Sequence, residues 1–160
     1  MANSETALKQ ADSPELVAIA RRLFVEYSDA IGTDLEYQGF SAELARLPTP
    51  YAPPQGALLI AFIGADVAGC VALRRLDSHT AEMKRLYVRS THRSSGLGRR
   101  LVEAVIQAAR QGGYNELRLD TLPSMASAQA LYQGLGFVEI PPYNNKHLPG
   151  TRFYALGLAA

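Results

Sequence analysis

Residues 82–121, EMKRLYVRSTHRSSGLGRRLVEAVIQAARQGGYNELRLDT, constrain the fold of this 160-residue chain more than any other segment. Met83, Leu86 and Val88 supply the apolar positions of a strand, and Leu117 and Leu119 alternate as in a second strand. Between them Leu97, Leu101, Ala104, Val105 and Ala108 recur at helical spacing, and the glycines at 112–113 stop the helix. A strand, a crossover helix and a strand form a βαβ unit, whose two strands pair in parallel. The chain must therefore layer helices on a sheet.

The flanking sequence fills in that sheet. ETALKQ reads as a short first strand. DSPEL opens a helix, with Ser13 as N-cap, Pro14 at the first position and Glu15 in the first turn, running to about Ile31. A second short helix spans about 41–47. Four prolines between Pro48 and Pro54 make a rigid loop. Strands follow at 57–63 and 67–76 as a hairpin. After the βαβ unit come a helix over about 124–135 and two closing strands, FVEI and TRFYALGL. The order is β-α-α-β-β-β-α-β-α-β-β.

Composition narrows the function classes. The length fits a single domain, 1–160, with a continuous core. A net charge of +1 without a basic run gives no nucleic-acid footprint. Cys70 is the only cysteine and stands in the apolar run VAGCVAL, so it reads as a core residue. No apolar run approaches the ~20 residues of a membrane span, and MANSETALKQ lacks signal-peptide character. A cytoplasmic protein is the expectation. No carboxylate or histidine pair has metal-ligand spacing, so no metal is expected. His79 and His92 read as turn and surface residues.

RSSGLGRRL, residues 93–101, places two glycines and a knot of arginines where the crossover helix starts. A helix N-terminus leaves about four backbone N–H groups without partners. Glycine lets such a backbone approach an anion, and Arg93, Arg99 and Arg100 add charge. A phosphate cradle and a plain tight turn both remain open on this evidence. A Walker loop would need Lys-Ser/Thr after the second glycine, and GRR stands there; a Rossmann fingerprint would need a third glycine where Leu101 stands.

With its neighbours the stretch resembles the GNAT family of N-acetyltransferases. Arg93, Gly96 and Gly98 match that family's Arg/Gln-x-x-Gly-x-Gly/Ala pyrophosphate motif. Ala128, Leu131, Tyr132, Gly136 and Phe137 match its A-x-x-L-Y-x-x-x-G-F segment, and the element order extends the likeness over nearly the whole chain. The resemblance implies an α/β fold with a mixed, mostly antiparallel central sheet of about six to seven strands and about four flanking helices. The parallel βαβ pair would splay to admit coenzyme A. It also implies acetyl-CoA as cosubstrate and a primary amine as acceptor. Ser94, Ser95, Gly96, Leu97, Gly98 and Arg99 would hold the pyrophosphate through their amides, with Arg93 beside them. Leu86, Tyr87 and Val88 would pair with the pantetheine arm. Many relatives carry an asparagine where Met125 stands, so Ser124 or Ser127 would replace that contact.

Acyl transfer by direct attack needs a base, an oxyanion donor and an acid, because an alkyl amine of pKa ~10 starts as ammonium. The resemblance assigns the base to Glu82, directly or through a water; a surface carboxylate paired with Lys84 or Arg85 is the alternative. Glu82, Lys84 and Leu86 share one strand face unless a bulge intervenes. The amide of Val88 or Leu86 would receive the oxyanion. Tyr132 would protonate or contact the departing sulfur.

The acceptor would lie opposite the cofactor. YSDAIGTDLEYQGF offers Tyr27, Asp34 and Tyr37, and IPPYNNKHLPGTRF offers Tyr143, Asn145 and Arg152. Lys146 and Arg152 would suit a substrate carboxylate, hence an amino-acid-like small molecule. Acetylation of a protein N-terminus or lysine, and a non-catalytic acyl-CoA-binding or sensing domain, are the rival readings. Dimers are common in the family, which leaves a homodimer open.

Overall fold

The computed structural model describes residues 5–158; the outermost residues of the expected 1–160 domain lie outside them. One mixed sheet runs β1-β2-β3-β4-β5-β7-β6. Its strands are β1 (Thr6–Gln10), β2 (Ala57–Ile63), β3 (Asp66–Arg75), β4 (Thr80–Val88), β5 (Glu116–Thr121), β6 (Val138–Ile140) and β7 (Arg152–Gly157). The helices are α1 (Pro14–Ile31), α2 (Phe40–Arg46), α3 (Leu97–Gln111) and α4 (Ala126–Gly134). This is the element order read from the sequence. The short 3₁₀ turns Leu35–Gln38, Thr49–Tyr51 and Ser90–His92 are additions to it.

Local chemistry explains the helix ends. The Leu16 amide donates to Ser13 Oγ at 3.2 Å, Pro14 opens α1, and Gly32 closes it in a left-handed conformation. In α3 the buried stripe is Leu97, Leu101, Val102, Val105, Ile106 and Ala109. Ala104 and Ala108, expected on the same face, are half-buried at its rim. A helix lying on a sheet buries a broad stripe, and the bulkier side chains take the middle of it.

The two sheet faces carry separate cores. Leu101, Val105, Leu117 and Leu119 belong to the one beneath α3, with Tyr132 of α4 and Tyr154 of β7. Leu23, Phe24, Phe40, Leu58 and Ile60 belong to the other, beneath α1 and α2. Among the described residues no helix is long and apolar enough to cross a membrane.

Two irregularities at the centre of the sheet shape what lies there. β4 and β5 pair in parallel only over Thr80–Glu82 against Glu116–Arg118. Beyond that β4 stays with β3 as far as Gly69↔Val88, and β5 stays with β7 as far as Thr121↔Arg152. The two strands part, and a gap opens between them. The second irregularity is a bulge. Cys70 faces Tyr87 while Ala72 faces Lys84, so three steps on β4 answer two on β3, and Arg85 takes a φ of +61°. The simple alternation of Glu82, Lys84 and Leu86 is thereby broken. Leu86 packs with Met83 on the α3 side, whereas the Arg85 guanidinium lies over the Tyr27 and Phe40 rings on the other side.

Candidate functional site

The turn into α3 leaves its amides free. Gly96, the N-cap, has φ +80° and no side-chain cap. Going along the turn from Ser94, the first backbone N–H with an acceptor is that of Arg100, on the Gly96 carbonyl at 3.2 Å. With the helix dipole behind them these donors suit an anion. A side chain at Gly96 would meet nothing within 4 Å, so the positive φ is what requires glycine there. We expect Gly96→Ala to cost about 1–2 kcal/mol in denaturant unfolding; a neutral result would show that the turn relaxes freely.

The turn forms one end of a cleft of about 540 Å³. Of the residues the sequence assigns to cofactor binding, Leu86, Tyr87, Val88, Arg93, Ser94, Gly96, Leu97, Gly98 and Ser127 line it. Met125 and Ser124 line it too, so both serines proposed to replace the missing asparagine are at hand. Ser95 and Arg99 do not: the Ser95 hydroxyl donates to the His92 carbonyl at 2.5 Å, and Arg99 lies 3.9 Å from Glu103. The Arg89 amide donates to the Ala68 carbonyl at 2.8 Å, toward β3. Successive amides of a strand alternate sides, so those of Val88 and Leu86 point into the gap.

A smaller cavity of about 30 Å³ adjoins the cleft and shares Tyr27, Leu86 and Met125 with it. It lies where the strands part, between Met83–Leu86 and Leu119–Thr121, under Tyr37 and Gln38. Tyr132 lines it and is 3% exposed, packed against Phe137 and Tyr154. Burial pushes its phenol well above the usual range, so it stays protonated. Tyr27 is likewise pushed up, to about 12, by burial first of all. Thr121 Oγ1 is buried at this wall without a partner, as a polar group awaiting a ligand would be.

Several expected residues sit elsewhere. Glu82 is buried rather than at the surface, and it pairs with neither Lys84 nor Arg85. Its carboxylate accepts from Arg74 Nε at 2.7 Å and from the Tyr143 hydroxyl at 2.5 Å, outside the cavity lining. Tyr143 is thus committed to Glu82. Arg152 shares the strand face of Tyr154, on the α3 side of the sheet, away from Tyr37. Lys146 and Asn145 are exposed in the β6–β7 loop, and the Asp34 carboxylate accepts from the Glu36 amide to cap the 3₁₀ turn that carries Tyr37.

The residues that the sequence reading missed are Asp120 and Lys84, which face this cavity. Burial foremost, then the Glu82 charge, raises the Asp120 pKa; Lys84, Arg85 and the nearby Asn144 amide offset part of that. Burial lowers that of Lys84. The alternation of ELRLDT, with Leu117 and Leu119 on one face, already set Arg118 and Asp120 on the other.

Comparison with known proteins agrees with this geometry. The profile of the Acetyltransferase (GNAT) family matches residues 18–137. An uncharacterized N-acetyltransferase of Schizosaccharomyces pombe is 34% identical over 161 residues, covering 99% of each chain. Human N-acetyltransferase 8 is 32% identical over 130 residues, 78% of this chain and 54% of that longer protein. Among solved structures, a GNAT-family acetyltransferase from Staphylococcus aureus superposes with a TM-score of 0.81 at 21% identity, covering 97% of this chain and 100% of that one. An acetyltransferase from Salmonella typhimurium, solved with acetyl-CoA, gives 0.66 at 21% identity over 96% and 94%. The chain belongs to the GNAT family and is an acetyltransferase.

Proposed function

We propose that this acetyltransferase, as one domain, moves the acetyl group of acetyl-CoA to the primary amine of a small molecule by direct attack in a ternary complex. The observation that carries the reading is the continuity of the gap between β4 and β5. It leads from the free amides at the start of α3 to the half-buried Asp120 and the phenol of Tyr132.

Each end has its task. The amides of residues 94–99 and Arg93 hold the pyrophosphate, and the edge of β4 from Leu86 to Val88 takes the pantetheine arm. The outward amide of Leu86 or Val88 donates to the oxygen that gains charge during attack. The acceptor arrives as ammonium and loses a proton to Asp120, whose raised pKa makes it a better base than an ordinary carboxylate. Glu82 stands one step back. With Arg74 and Tyr143 on its two oxygens, it orders the loop beside Asp120. Tyr132 donates its hydroxyl hydrogen to the departing sulfur and takes in exchange the second proton shed by the attacking nitrogen. The amide and the free thiol of coenzyme A leave, Tyr132 is neutral again, and Asp120 returns its proton to solvent.

A thiol is a tolerable leaving group, so Tyr132→Phe should lower kcat by about 10- to 100-fold, less than loss of a base. Acetyl-CoA should still raise the melting temperature of that variant. Unchanged turnover would remove the acid role. The reaction itself is tested by thiol release from acetyl-CoA with and without a panel of primary amines. Acetyl-CoA at a hundredfold excess over Kd should also stabilise the protein by about 2.7 kcal/mol. Stabilisation without amine-dependent release would favour the sensing domain.

A further inference from the structure

Lys84 and Asp120 form a charge pair that the fold holds apart. The register Glu82↔Arg118, carried two residues on, sets Lys84 opposite Asp120 on the same face of the sheet. The strands separate at that step. Both side chains line the inner cavity, yet among the described residues no carboxylate lies within 4.0 Å of the Lys84 ammonium. Lys84 Nζ donates to Gln38 Oε1 at 3.3 Å, and Asn144 of the β6–β7 loop lies beside Asp120. The other charges nearby already have partners, Glu82 with Arg74 and Arg85 with Glu43.

A half-buried cation and a half-buried anion kept apart each lose hydration without gaining the other as partner. A ligand carrying the complementary charges on neighbouring atoms satisfies both at once. A polyamine or an amino sugar would satisfy Asp120 alone and repel Lys84. We infer that the acceptor is an amino acid or a similar amino-carboxylate, its carboxylate held by the Lys84 ammonium and its amine delivered to Asp120. The inner cavity, about the size of one water, admits the reacting amine, and the remainder of the acceptor lies toward the mouth. This carboxylate site replaces the one expected at Lys146 and Arg152, which lie in the exposed loop and on the far face. The inference rests on the reading that the protein acetylates small amines beside Asp120.

The test pairs amino acids with their decarboxylated counterparts, such as leucine with isoamylamine, tyrosine with tyramine and histidine with histamine, and measures kcat/KM for each by thiol release. For the best pair, the wild type should favour the acid by about 10- to 100-fold, as a charge-assisted contact warrants. Lys84→Met should collapse that ratio, and Lys84→Arg should restore part of it. A residue that merely supported the fold, or only tuned Asp120, would slow both members of a pair alike and leave the ratio intact. That result overturns the carboxylate site, as does a wild type that acetylates only amines lacking a carboxylate; both leave amine acetylation standing. Thiol release indifferent to every amine overturns amine acetylation and the inference together.

Discussion

Asp120→Asn should lower kcat/KM for the amine acceptor by about 10²- to 10⁴-fold, the range for loss of a general base, while acetyl-CoA binding persists. The asparagine keeps the shape but has no useful basicity. The pH profile gives the sharper readout. The active form of Asp120 is the carboxylate, so activity is lost as pH falls through its pKa. Burial has raised that pKa, which places the acid limb above the ordinary carboxylate range. In the variant this limb should vanish, leaving the slope due to the acceptor's own ammonium. A variant with wild-type kcat/KM and the same limb would return the role to Glu82 acting through water.

The second large effect concerns stability. Arg85 is 4% exposed and forks onto Glu43, with Nε and Nη2 donating at 3.0 and 2.6 Å; Tyr51 adds 2.8 Å to the same carboxylate. Arg85 is also the residue at the bulge, so this pair ties α2 to the point where β4 turns toward the gap. Burial alone would raise the Glu43 pKa, but the hydrogen bonds and charge of Arg85 outweigh it and hold the carboxyl below its usual value. Glu43→Gln leaves the guanidinium buried without a counter-charge. It should cost about 3–5 kcal/mol in denaturant unfolding, a fall in Tm on the order of 10 °C. The double variant Glu43→Leu/Arg85→Met should recover much of the loss, because no lone charge remains. The pH sign follows from the depressed pKa. The pair's contribution is complete above the unfolded-state value of ~4.3 and disappears as pH falls through the lower folded-state value. A loss under about 1 kcal/mol in the single variant would mean that water reaches the guanidinium.

How far the chain could be read in advance depended on periodicity. The βαβ segment 82–121 carries strong two- and 3.6-residue patterns with glycine at the helix end, and its parallel pairing follows from them. Its turn, without the family resemblance, stays open between a phosphate cradle and a plain connection. The bulge was hidden because Arg85 adopts a left-handed conformation with no glycine or asparagine to signal it. Without it, alternation appeared to set Leu86 beside Lys84, whereas Leu86 lies with Met83. Glu82 looked available because its partners, Arg74 on the hairpin strand and Tyr143 on a distant loop, are named by tertiary packing alone. Asp120 could have been noticed from the alternation of ELRLDT. Its importance arises only where β5 leaves β4, and no local pattern marks that step. Arg152 was assigned by its loop, while the phase of β7 put it on the other side of the sheet.

Competition between small amines and peptides probes the proposed activity most directly. Acetyl-CoA is supplied with amino acids and simple amines, together with peptides offering free N-termini and lysines, and the acetylated products are identified by mass spectrometry. The charge pair of Asp120 and Lys84 beside Tyr132 predicts acetylated small amines, formed by the wild type and nearly lost in Asp120→Asn. Acetylation confined to peptides, or products unaffected by the Asp120 change, would contradict it.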